Sequence, residues 1–121
     1  MSKEEYIYFK DKFTLEQRKI ESSRILQKYP NRIPVIVEKS HYCKTIGNID
    51  KNKYLIPKEL TLGQLQYVLR KRLTLTAEQG IYLFINESLY PVTSVLDQIY
   101  KDAKDEDNFL YVLYAGENTF G

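Results

Sequence analysis

From residue 32 onward the apolar positions switch between a period of two and a period near 3.6, and those switches predict most of the elements. Ile33-Pro34-Val35-Ile36-Val37 reads as a strand, with its proline near the beginning, where a missing amide is easiest to tolerate. Lys53-Tyr54-Leu55-Ile56-Pro57 predicts a second, short strand that lysines open and Pro57 ends, a pattern that protects exposed sheet edges from unwanted pairing. Between them, residues 40–50 form a polar connection with Gly47-Asn48 as its turn signal. Thr61 and Gln64 have capping-box spacing, and Leu62, Leu65, Val68 and Leu69 recur at helical intervals up to Arg70-Lys71-Arg72, where cations favour a helix C-terminus. Ile81-Tyr82-Leu83-Phe84-Ile85 predicts a third strand, with Asn86-Glu87-Ser88 turning the chain after it. Ser94 is placed to cap a short helix bearing Leu96, Ile99, Tyr100 and Ala103, and residues 101–107 read as a solvated charged linker. The fourth strand, Phe109-Leu110-Tyr111-Val112-Leu113-Tyr114, has the unbroken apolar run of a strand covered on both faces.

The first 30 residues are more polar. Tyr6 to Phe9 form a short apolar cluster, and Thr14-Leu15-Glu16-Gln17 offers a cap for a helix to about Tyr29, which Pro30-Asn31 ends. The order is two helical pieces, strand, strand, helix, strand, short helix, strand. This predicts an α+β domain, a four-stranded mixed sheet of the ubiquitin-like β-grasp type with two additional N-terminal helices and its first and last strands side by side at the centre. The expected organisation is a helical extension over residues 1–31, a core over 32–115 and a tail over 116–121. That tail changes chemistry abruptly and stops on Gly121, whose carboxylate no side chain crowds, so an enzyme can hold it in a narrow channel and couple it to an amine.

Composition narrows the function. With 121 residues and 43% apolar content the chain is sized for one core. A net charge of +2 among 34 charged residues argues against a nucleic-acid binder. No apolar run approaches the ~20 residues of a membrane span, and the start lacks the apolar core of a signal peptide, so a cytosolic protein is expected. Cys43, the single cysteine, agrees with a reducing compartment. His41 and Cys43 are the best catalytic pair available, but no group to orient the histidine is identifiable, and two ligands are too few for zinc; neither a catalytic nor a metal site is expected.

Several longer motifs carry a resemblance: residues 28–39 (KYPNRIPVIVEK), residues 50–57 (DKNKYLIP), Leu62-Gly63-Gln64 with Arg70-Lys71-Arg72, and Asp105-Glu106-Asp107 before Phe109-Leu110-Tyr111. Together they closely resemble the autophagy ubiquitin-like modifiers, the proteins related to GABARAP and to microtubule-associated protein light chain 3, from about Tyr6 to Gly121. The resemblance implies a non-enzymatic protein that needs no cofactor. Its Gly121 would be joined to phosphatidylethanolamine by activating and conjugating enzymes and released by a cysteine protease, giving a cytoplasmic form and a form on autophagosomal or related membranes.

The same resemblance implies a groove that takes cargo receptors and adaptors carrying an aromatic residue, two variable residues and an aliphatic one. Glu21, Ile25, Pro34, Ile36, Lys51, Leu55 and Phe109 would line its aromatic pocket. Tyr54, Ile56, Pro57, Leu60, Leu65 and Val68 would line its aliphatic pocket, with Leu65 where many relatives have phenylalanine. Arg32, Lys53, Arg70 and Arg72, with Lys51, would form a basic rim. An unconjugated β-grasp adaptor with the same groove is the alternative. On an edge strand, Tyr54-Leu55-Ile56 cannot all point inward, so at least one of them meets solvent or a ligand.

Overall fold

Two threonines start the two longest helices. Thr14 and Thr61 each accept a hydrogen bond from the amide three residues on, at 3.2 Å, and each donates its own amide N–H to the side-chain oxygen of a glutamine, Gln17 or Gln64. In the computed structural model, which describes residues 5–117, these capping boxes open α2 (Leu15–Lys28) and α3 (Leu62–Arg72). A four-residue helix, α1 (Phe9–Lys12), precedes them, and α4 (Leu96–Ala103) follows.

The strands are β1 (Arg32–Lys39), β2 (Lys53–Pro57), β3 (Tyr82–Ile85), β4 (Ser88–Leu89) and β5 (Leu110–Ala115), in the sheet order β2-β1-β5-β3-β4. β1 and β5 run parallel at the centre, with Val35 opposite Leu110, and both flanking pairs are antiparallel. The expected central pair is therefore present. The expected count of four strands is corrected to five, because Asn86 and Glu87 both adopt positive φ, 51° and 62°, the backbone of a two-residue hairpin turn that lets Ser88 and Leu89 pair back on β3.

Alternation along the strands divides the interior into two clusters. Ile33, Val35 and Val37 of β1, Tyr54 and Ile56 of β2, and Leu110, Val112 and Tyr114 of β5 face α3 and α4, meeting Leu65, Leu69, Leu96 and Ile99. The opposite face is covered by the N-terminal helices, where Ile36 and Phe109 pack with Phe9 and Ile25 and, at the margin, with Phe13, Leu55 and Tyr111. β5 alternates between buried and half-buried positions instead of being uniformly covered: Tyr111 packs at the margin of the helical cluster, and Leu113 at the margin of the main core.

Two sequence expectations fail for one reason, the use of groups that periodicity does not reveal. α4 starts after Val95 with no side-chain cap, so Ser94 does not cap it; the amides of Leu96 and Asp97 instead donate to the carbonyls of Leu60 and Lys58, at 2.8 and 3.1 Å. The stretch before β5 is not a solvated linker, because Asp107 is fully buried. Its carboxylate accepts from Arg18 Nη1 at 2.6 Å, from the Tyr111 hydroxyl at 2.5 Å and from the Phe109 amide at 2.8 Å, while its carbonyl accepts from Ser22 Oγ at 2.6 Å. This network bolts α2 onto the start of β5. A second buried carboxylate, Glu38, accepts from the Phe9 amide and the Tyr6 hydroxyl at 2.8 and 2.7 Å, fastening the N-terminal segment to β1. Burial pushes its pKa up, against those two hydrogen bonds.

Candidate functional site: an open sheet edge between two faces

β2 is an edge strand whose outward groups can be assigned from its register. Pro34 has no amide to offer, and the ladder bonds flanking the pair, Val37 N–H to Asn52 C=O and Lys58 N–H to Asn31 C=O, keep one alternation. The pairs Pro34↔Leu55 and Ile36↔Lys53 therefore fall at non-hydrogen-bonded positions, and the amides and carbonyls of Lys53 and Leu55 turn toward the open edge. Among the described residues only the Arg32 guanidinium meets them, donating to the Leu55 carbonyl at 3.0 Å. A main chain docking here displaces one side-chain donor and finds a template of unpaired groups.

Most of the residues expected for the two pockets separate onto the two faces of this strand; Pro57, in phase with Leu55, and Lys51, over the Tyr54 ring, do not follow that division. Ile25, Ile36, Phe109 and Leu55 meet in the cluster under α1 and α2, with Pro34 buried on the same side of β1. Of these, Leu55 is the half-buried one, the residue that the run Tyr54-Leu55-Ile56 had to leave outside the main core. Glu21 on α2 closes the edge of this face by an ion pair with Lys53 at 3.4 Å, beside a cleft of about 230 Å³ lined by Phe9, Phe13, Ile20, Glu21, Arg24 and Lys53. Lys51 sits over the Tyr54 ring at 5.0 Å.

On the other face, Tyr54, Ile56 and Leu65 are buried in the main core, Leu65 completely. Leu60 is half-buried against them, Pro57 ends β2, and Val68 is exposed on α3 next to Tyr67. The rim is uneven. Arg72 pairs with Asp50 at 2.9 Å, which holds the Asp50 carboxyl below the usual carboxylate range, whereas Arg70 donates to the carbonyls of Gln79 and Thr76 and so caps the loop after α3. Gly121, the expected conjugation residue, lies outside the described residues.

The Tyr54 hydroxyl is buried and has no hydrogen-bond partner among the described residues. An unmet buried hydroxyl costs ~1–3 kcal/mol, so Tyr54→Phe should leave stability unchanged or raise it by about 1 kcal/mol, read as the urea midpoint. A lowered midpoint would show that the hydroxyl bonds to something in solution.

Sequence reasoning missed three contributors to this region. Phe9 stacks edge-on against Phe109 with centroids 5.2 Å apart and forms the floor of the helical face, and Arg18 and Asp107 set the position of α2. Only Phe9, in an apolar cluster, carried any signal. His41 and Cys43 do not form a pair: the imidazole stacks on Tyr8 at 4.3 Å, while the buried thiol points at the Ile46 carbonyl.

Residues 17–121 match the family described as "Autophagy protein Atg8 ubiquitin like". The chain is 54% identical over 113 residues to autophagy-related protein 8c of Arabidopsis thaliana, covering 93% of this chain and 94% of the relative. It is equally similar, 54% over 113 residues, to autophagy-related protein 8 of Schizosaccharomyces pombe, with 93% of each covered. The crystal structure of Trypanosoma brucei ATG8 superposes with a TM-score of 0.86 at 39% identity, covering 97% of this chain and all of the other.

Proposed function

Because the chain belongs to the Atg8 family of autophagy ubiquitin-like proteins, we propose that it is a conjugated modifier: Gly121 is joined to phosphatidylethanolamine, and the β2 edge recruits receptors to the resulting membrane. The observation that carries the recruiting half is the division of the two pocket sets between the two faces of β2. Side chains three residues apart on a strand point to opposite faces. A peptide added along β2 with an aromatic residue, two variable residues and an aliphatic one therefore sends its aromatic ring toward Ile25, Ile36, Leu55 and Phe109. Its aliphatic side chain goes toward Leu60 and Val68. Strand addition supplies main-chain hydrogen bonds at Lys53 and Leu55, and the cations at 32, 51 and 53 speed encounter with acidic flanks.

For the membrane half, no helix among the described residues is long and apolar enough to cross a bilayer. Attachment then falls to the lipid, whose two acyl chains suffice because each buried methylene contributes ~0.8 kcal/mol. The protein is a substrate of its activating and conjugating enzymes: an amide forms between the Gly121 carbonyl carbon and the ethanolamine nitrogen, and one carboxylate oxygen is lost after activation. A cysteine protease reverses the attachment. The cytoplasmic form and the form on autophagosomal membranes differ by that bond.

Intact mass of the membrane-bound protein, with a fragment spectrum of the C-terminal peptide, tests the conjugation. A gain on Gly121 equal to phosphatidylethanolamine less water is expected, and Gly121→Ala should stay entirely in the soluble fraction. An unmodified Gly121 when autophagy is induced would leave an adaptor that binds peptides at β2 without conjugation.

A further inference from the structure

Just beyond β5 the backbone is fastened sideways to the connection between β1 and β2. The Glu117 carboxylate accepts from the Lys44 amide at 3.0 Å through Oε1 and from the Thr45 hydroxyl at 2.8 Å through Oε2. These bonds draw its pKa below the usual carboxylate range, so the charged acceptor is present at neutral pH. Gly116 lies so close to this loop that a Cβ there would fall 2.0 Å from Thr45 Oγ1 and 3.1 Å from the Ile46 side chain. The loop is itself anchored: Cys43 and Ile46 are buried in the main core, and the fully buried Tyr114 donates its hydroxyl to the Gly47 carbonyl at 2.6 Å. A charged side chain, a glycine with no space for a methyl group and a core-anchored loop thus converge on the two residues after β5.

We propose that Glu117 is a positioning residue for conjugation, which, with Thr45 and Gly116, fixes the point and direction from which the last four residues carry Gly121 to its enzymes. This rests on the conjugation reading above. Counted along the chain, Gly121 is four residues beyond the clamp and six beyond Ala115, so an extended path reaches at most ~14 Å from residue 117 and ~21 Å from residue 115. Lengthening a tether from four to six residues lowers the local concentration of its end about twofold by the −3/2 power rule, before any loss of direction is counted.

The experiment is steady-state transfer of Gly121 with purified activating and conjugating enzymes and phosphatidylethanolamine vesicles. The full chain is compared with Glu117→Ala, Thr45→Val, Gly116→Ala and the Glu117→Ala/Thr45→Val double variant. Each single variant should raise KM about twofold or more at unchanged kcat, and the double variant should be no worse than either single one, since both open the same clamp. Glu117→Gln, which keeps an acceptor oxygen, should recover part of the loss. Melting temperature serves as a control for Glu117→Ala and Thr45→Val, which leave the core untouched, and peptide binding at β2 serves for all the variants; Gly116→Ala, which presses on the buried Ile46, is compared at a temperature well below its own melting point. If Thr45→Val is silent while Glu117→Ala raises KM, or if the two losses add, Glu117 touches the enzyme directly and the proposal is overturned. If the unaltered chain is not conjugated at all, it is the conjugation reading that fails.

Discussion

Asp107→Ala should lower the stability of the fold by about 3–5 kcal/mol, the range for stranding one partner of a buried ion pair. For a chain of 121 residues that corresponds to a melting temperature lower by on the order of 10–20 °C. The Arg18 side chain is only 11% exposed and sits 2.6 Å from the carboxylate it would lose, and the Phe109 amide and Tyr111 hydroxyl lose the same acceptor. Among the described residues, nothing else in that corner replaces a full charge, apart from Asp105 at 3.9 Å, which is engaged by Lys10. Asp107→Asn should cost less, since it keeps an acceptor for the Phe109 amide. Adding Arg18→Met to Asp107→Asn should cost less than the two single effects together, because the second change removes the stranded cation. Calorimetric melting of the parent chain, Asp107→Ala, Asp107→Asn, Arg18→Met and the double variant settles it; a shift of only a few degrees for Asp107→Ala would show that the corner relaxes and hydrates.

The second large effect concerns binding. Leu55→Asp puts a carboxylate on the half-buried face of β2 against Ile25, Ile36 and Phe109, where the docking proposed above places the peptide's aromatic ring. An unpaired charge facing an apolar partner costs several kcal/mol, so affinity for a peptide with an aromatic-x-x-aliphatic core should fall on the order of a hundredfold, or about 2.7 kcal/mol. Leu55 lies at the sheet margin, so the loss of stability should be small, around 1 kcal/mol. Fluorescence anisotropy with a labelled peptide, alongside melting curves, separates the two. Unchanged affinity in a folded variant would place peptide docking elsewhere on the molecule.

The features most legible in the sequence are those that rest on periodicity and local chemistry. Thr14-x-x-Gln17 and Thr61-x-x-Gln64 announce helix starts because the capping box is closed within four residues. β1, β2, β3 and β5 are visible because alternate or continuous apolar positions persist for four residues or more. β4 is not, since Ser88-Leu89 has no run to read and Glu87 is an unfavourable choice for a left-handed turn position. The groove is half legible. That Leu55 must leave the core follows from the pattern around it, but its neighbours Phe9 and Phe109 are separated by a hundred residues of sequence. Least legible are the interior charges: Asp107 sits in a run, Asp105-Glu106-Asp107, that looks wholly solvated, and only the fold reveals that one of the three turns inward to Arg18.

The parallel pairing of β1 with β5 also has a consequence for how the protein is made. Val35 meets Leu110 across 75 residues of chain, and neither central strand has its full set of neighbours until both are present. On a ribosome, β1, β2 and α3 emerge long before β5, leaving one side of β1 unpaired and the main core open. Closing such a long loop is slow, and chains with bare strand edges aggregate. The domain therefore acquires its fold only after synthesis has passed residue 115, and until then Phe109 is missing from the face that Ile25, Ile36 and Leu55 complete.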